Sequence, residues 1–155
     1  MRQEAGAAYG RRMRIALLLP ILLGLASCDR SGGESAAPRV AVENAVVTLP
    51  VLPGRPGAAY FTLEANATAV FIAVASPRAS RVELHDEGMR RAAGFRLIAG
   101  EPLAFAPGGR HAMLFGLDPT LRPGDRLALT FSFEGAPPVT AGAQVRAPGD
   151  VHGAH

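Results

Sequence analysis

Arg126-Leu-Ala-Leu-Thr-Phe-Ser-Phe133 decides the fold, because large apolar side chains occupy every second position through it. Successive side chains of a β-strand point to opposite faces, so this pattern describes a strand with one face in a core. Working outward, similar short apolar stretches recur at intervals of roughly ten residues between turn signals. Strands are predicted over 39–48, 58–65, 69–75, 80–85, 95–98, 102–106, 111–115, 126–133 and 138–146. The punctuation includes Pro53-Gly54, Pro56-Gly57, Pro107-Gly108-Gly109, Pro123-Gly124 and Pro137-Pro138. With 13 prolines and 18 glycines in the chain, no uninterrupted helical window remains beyond residue 38. Regular short strands joined by tight turns predict an all-β domain, an antiparallel sandwich or barrel.

The 155 residues suffice for one such domain, because the N-terminal segment reads differently. Arg11, Arg12 and Arg14 precede the apolar run Ile15–Ala26, and small residues follow it, which is the layout of a secretory signal. That run is shorter than the ~20 residues a membrane-spanning helix needs. The chain's one cysteine stands directly after it, in Leu25-Ala26-Ser27-Cys28. This resembles the bacterial lipoprotein signal, so residues 1–27 are expected to be removed and Cys28 to carry lipid. Residues 28–38 are polar and small, and are expected to form a flexible tether. The folded domain is then 39–146, and 147–155 is expected to be a disordered tail holding His152 and His155.

Removal of 1–27 also changes the charge argument. The whole chain carries +3, but four of its 16 basic residues and one of its 13 acidic ones lie in that segment. Twelve of each remain, so the basic signature that would suggest nucleic acid belongs to the discarded part. Beyond Cys28 there is no thiol to act as a nucleophile or metal ligand.

Of the four methionines, Met1 and Met13 precede the domain, and Met89 and Met113 lie within it. Each stands close to a histidine, as His85-x3-Met89 and His111-x-Met113. Methionine used as core filler would be scattered among the leucine positions instead. Residues i and i+2 of a strand face the same way, so His111 and Met113 can point together. Asp86-Glu87-Gly88 can turn the chain after His85 and bring Met89 back beside it. If the two strand ends are neighbours, they present two imidazoles and two thioethers to one ion.

The donors choose the metal. A thioether is soft and neutral, a poor ligand for zinc, magnesium or calcium and a good one for Cu(I). Zinc is the alternative, since Glu83, Asp86 and Glu87 lie near the histidines. An enzyme reading would assemble His85 and Asp86 with Ser76 or Ser80 into a triad, but no nucleophile elbow surrounds either serine. Gly108-Gly109 lacks the strand-to-helix setting of a phosphate loop. A non-enzymatic Cu(I)-binding domain is therefore expected.

These residues resemble the periplasmic PCu(A)C copper chaperones, over roughly 40–146. Ala58-Ala59-Tyr60-Phe61-Thr62-Leu63-Glu64-Ala65-Asn66 looks like that family's first characteristic strand, and Ser76–His85 like the segment ending in its first histidine ligand. Ala99-Gly100-Glu101 and Phe105–Met113 look like the segment ending in its His-x-Met pair. Met89 precedes His111 by 21 intervening residues, as the family's first methionine ligand does. The chain departs from the family in having no tryptophan and only three residues between His85 and Met89. This short loop is expected to burden His85, the ligand that a three-coordinate site would lack. The resemblance implies a cupredoxin-like β-sandwich that binds Cu(I) and passes it to the copper-bearing subunit of cytochrome c oxidase, alongside Sco-type proteins. A monomer tethered on the periplasmic side of a bacterial membrane is expected. The competing functions are copper buffering or tolerance, and a β-sandwich that binds another envelope protein without metal.

Overall fold

The computed structural model describes residues 37–150, and all nine predicted spans are strands to within one residue at either end. They are β1 (Val40–Thr48), β2 (Gly57–Ala65), β3 (Ala69–Ala75), β4 (Arg81–His85), β5 (Phe95–Leu97), β6 (Leu103–Phe105), β7 (His111–Phe115), β8 (Arg126–Glu134) and β9 (Val139–Arg146). Cys28 and the signal segment, most of the expected tether, and His152 and His155 lie outside the described residues. Of the tether, residues 37–38 are described. They lie beside Asn66, whose side-chain amide donates to the Ala37 carbonyl and accepts from the Arg39 N–H.

The strands form one curled sheet in the order β4-β7-β2-β1-β9-β8-β3-β5, with β6 also paired to β2. Packing of β3 against β4 brings distant parts of that order together, so the sheet becomes a half-barrel around its own core. All pairings are antiparallel except β1 with β9, which run parallel from Val46↔Gln144 to Thr48↔Arg146. Alternation along a strand specifies faces and not neighbours, so this parallel pair is invisible in the sequence.

Alternation is what fills the core. In β2, the residues Ala59, Phe61, Leu63 and Ala65 are buried and the residues between them are not. In β8, Leu127, Leu129 and Phe131 do the same. Phe61 sits at the centre, stacked on Phe105 at 4.5 Å and edge-on to Phe131 at 4.9 Å and Phe71 at 5.8 Å. Four strands contribute these four rings, so one aromatic cluster joins both halves of the sheet. Such contacts add about 0.5–1.5 kcal/mol per pair beyond area burial.

Candidate metal centre

The strands β2, β7 and β4 lie side by side, and their register builds the site. His85 is opposite His111, Glu83 is opposite Met113, and Met113 is opposite Ala58 on its other side. Residues directly opposite on antiparallel strands share a face, as do residues two apart along a strand. Tyr60, His111, His85, Ala58, Met113 and Glu83 therefore occupy one face. The intervening residues Ala59, Leu84, Ala112 and Leu114 are buried in the core on the other.

The imidazoles of His85 and His111 meet edge-on, with ring centroids 5.3 Å apart. Both residues are 9% exposed. Beside them is a cleft lined by Met89, His111 and Met113, together with Tyr60, Glu87 and the Gly108-Gly109 turn. All four residues singled out from the sequence thus lie at one end of the β4–β7 pair, His85 behind His111 and the two methionines on the cleft. Among the described residues, no group of three or more His, Cys, Asp or Glu side chains is gathered as a zinc or calcium site would require.

Two turns support the cleft. Pro107-Gly108-Gly109 turns the chain between β6 and β7, which follow one another along the same edge of β2, with the Gly109 N–H donating to the Ala106 carbonyl and the Ala106 N–H to the Arg110 carbonyl. His111 Nδ1 lies 2.9 Å from the Gly109 carbonyl oxygen. A carbonyl can only accept, so Nδ1 carries the proton and the Nε2 lone pair is left available. The second turn is the loop after His85. Asp86 accepts from the N–H groups of Gly88 and Arg90 through one oxygen and from the Arg90 guanidinium through the other. These bonds hold the Asp86 carboxyl below its ordinary pKa, the Arg90 backbone contact being the largest cause.

The three-residue spacing between His85 and Met89 is therefore a real, closed turn. Its burden falls on Met89, not on His85. Met89 has a left-handed backbone, φ 61°, and is 66% exposed. His85 ends a regular strand, and an isolated bridge pairs it with Arg91. Around the turn, Glu87 forms an ion pair with Arg110 at 2.6 Å, linking the loop that carries Met89 to the turn that precedes His111.

Two neighbours of these residues escape a reading of the sequence. There Glu83 is only a nearby carboxylate, and Tyr60 only part of a strand. The i, i+2 rule that groups His111 with Met113 also groups Glu83 with His85, and is the available signal. Burial raises the Tyr60 pKa, so its hydroxyl stays neutral beside the cleft. Nothing in the geometry gathers Ser76 or Ser80 with His85 and Asp86. The Ser80 hydroxyl donates to the Phe115 carbonyl, and Ser76 accepts from the Arg78 N–H.

The curled β domain is of the class of the PCuAC domains, as the solved structures show. The copper-bound PCuAC domain from PmoF2 matches with a TM-score of 0.63 at 25% identity, over 70% of this chain and 93% of that one. Its apo form matches at 0.65 and 24% identity, over 74% and 94%. The solution structure of CuI-DR1885 from Deinococcus radiodurans shares the fold at 0.61 and 22% identity, over 77% and 85%. The family model described as "Putative lipoprotein LpqE-like" matches residues 40–145, and the chain belongs to this LpqE-like family. A curated relative, "Putative lipoprotein Lxx21020" of Leifsonia xyli subsp. xyli, is 38% identical over 76 residues. That match spans 44% of this chain and just under half, 46%, of the relative.

Proposed function

We propose that this protein is a copper carrier that holds one Cu(I) ion with His85, His111, Met113 and Met89 and releases it to an acceptor. The observation that carries the reading is the β4–β7 register, which sets His85 opposite His111 at the edge of a cleft bearing both methionines of the domain. Two imidazoles and two thioethers are a neutral, soft set suited to Cu(I). The copper-bound state of the PmoF2 domain supports copper as the ion.

The arrangement suits transfer. The histidines are buried and fixed, whereas Met89 stands exposed on a turn at the rim. An acceptor's ligand replaces the exposed thioether first, while the buried nitrogens hold the ion until exchange is complete. Only ligands are exchanged, so the protein is a binding module and not an enzyme. By resemblance, the acceptor is the copper-bearing subunit of cytochrome c oxidase, with Sco-type proteins in the same assembly. A lipid on Cys28 would hold the domain on the periplasmic face of a bacterial membrane, in keeping with the lipoprotein name of its family.

The test is Cu(I) titration against a chromophoric chelator. Wild type is expected to bind one Cu(I), and the Met89→Leu/Met113→Leu variant to bind it about 100-fold more weakly or worse, beyond the usual range for outer-shell changes. Unchanged affinity in the double variant would remove these residues from the site. In a deletion strain grown with little copper, lost oxidase activity is expected. Copper sensitivity with normal oxidase activity would assign buffering instead.

A further inference from the structure

We propose that Glu83 is a positioning residue that keeps the proton of His85 on Nε2, so that His85 offers copper its Nδ1 while His111 offers Nε2. The inference rests on the copper-carrier reading and adds to it which nitrogen of each ring is the donor.

Three observations carry it. The Glu83 side chain is directed to His85, with its Oε2 3.8 Å from His85 Nε2. That separation is too long for a hydrogen bond, but a carboxylate so close favours the tautomer with N–H on its own side. The carboxylate is held in place by its other oxygen, which accepts from Arg81 Nε at 3.1 Å and lies 3.8 Å from Arg91 Nη1. Finally, His85 Nδ1 is buried and has no hydrogen-bond partner among the described residues. A buried lone pair left unpaired is costly, and a bound metal ion would offset that cost.

The two histidines are therefore set by opposite means. A backbone carbonyl accepts from Nδ1 of His111, and a carboxylate faces Nε2 of His85. In each ring the nitrogen away from that oxygen keeps its lone pair. Outer groups that fix the tautomer of a ligating histidine change metal affinity by about 10–100-fold when removed. Glu83 also places a negative charge beside a neutral donor set, close to Arg81 and Arg91. One acid thus balances the rim and orients a ligand.

The experiment is long-range 1H–15N correlation NMR on the 15N-labelled full chain, without metal and with one equivalent of Cu(I). Without metal, His85 is expected as the Nε2–H tautomer and His111 as the Nδ1–H tautomer. On loading, the large nitrogen shifts are expected at His85 Nδ1 and His111 Nε2. Glu83→Leu should release the His85 tautomer, leave His111 as an internal control of the fold, and weaken Cu(I) by about 10–100-fold. Metal-induced shifts at His85 Nε2, or an unaltered His85 tautomer in Glu83→Leu, would overturn the inference and leave the copper reading standing. A wild type that binds no Cu(I) would overturn both.

Discussion

Met89 and Asn44 are the two non-glycine residues of the described chain with left-handed backbones, and they have different reasons. Asn44 lies in the bulge where the register of β1 on β2 shifts between Glu43 and Val46. Asparagine tolerates that conformation, whereas methionine does not favour it. Met89 accepts it because its N–H must close on the Asp86 carbonyl within a turn of three residues. The side chain then gains almost no burial in return, which points to a role for the thioether itself. Met89→Gly relieves the strain but loosens the unfolded chain, so its stability in urea should fall within about 1 kcal/mol of wild type. Its Cu(I) affinity should drop about tenfold or more, which chelator competition would read. Equal affinity would make Met89 a strained bystander. At this scale the candidate donors were legible, since thioethers beside imidazoles are visible in any sequence. Glu83 was not, because its meaning depends on what lies across the strand.

At the scale of elements, the turn that carries Met89 and the turn that precedes His111 are joined by one ion pair. Glu87 belongs to the turn after β4 and Arg110 to the turn before β7, and the two side chains are 56% and 33% exposed. The Arg110 guanidinium also lies 5.7 Å above the Phe95 ring, which anchors it to β5. Ion pairs this exposed contribute about 0–1 kcal/mol to folding, so Arg110→Leu should barely alter the urea midpoint. The pair matters as a brace, because without it the exposed turn is free to carry Met89 away from His111. Cu(I) should then dissociate faster, and the reversed pair Glu87→Arg/Arg110→Glu should restore the wild-type rate. Stopped-flow transfer to a chelator measures this, and an unchanged rate in Arg110→Leu would leave the pair without a functional part. Strand positions were legible to within a residue because period-two alternation and Pro/Gly turns mark them locally. The parallel β1–β9 pair and the β4–β7–β2 register were not, since they join residues far apart in sequence.

At the scale of the molecule, the loops at the far ends of β4 and β7 are held by a polar clamp whose strength depends on pH. Asp118 accepts from the Thr120 hydroxyl at 2.7 Å and the Thr120 N–H at 2.8 Å, and its second oxygen accepts from Arg78 Nη2 at 2.9 Å. The Asp118 N–H donates in turn to the Arg78 carbonyl, so the loop before β4 and the loop after β7 are tied twice. Gly116 in the second loop, φ 58°, leaves room for Ser80, with which a Cβ there would collide. The Thr120 contacts first, and Arg78 after them, hold the Asp118 carboxyl down at about 2, against an ordinary 3.8. A carboxyl with a depressed folded-state pKa stabilises the fold fully above its unfolded value and loses that contribution as pH falls through the folded one. The clamp should therefore be complete above about pH 5 and largely lost by about pH 2, the remainder going below that. Thermal unfolding of wild type and Asp118→Asn across pH 2 to 7 tests this. The variant should melt lower at pH 7, and the two melting temperatures should converge as pH approaches 2. A gap that stays constant over the whole range would show that the Asp118→Asn substitution costs packing rather than charge, and that the clamp is not electrostatic.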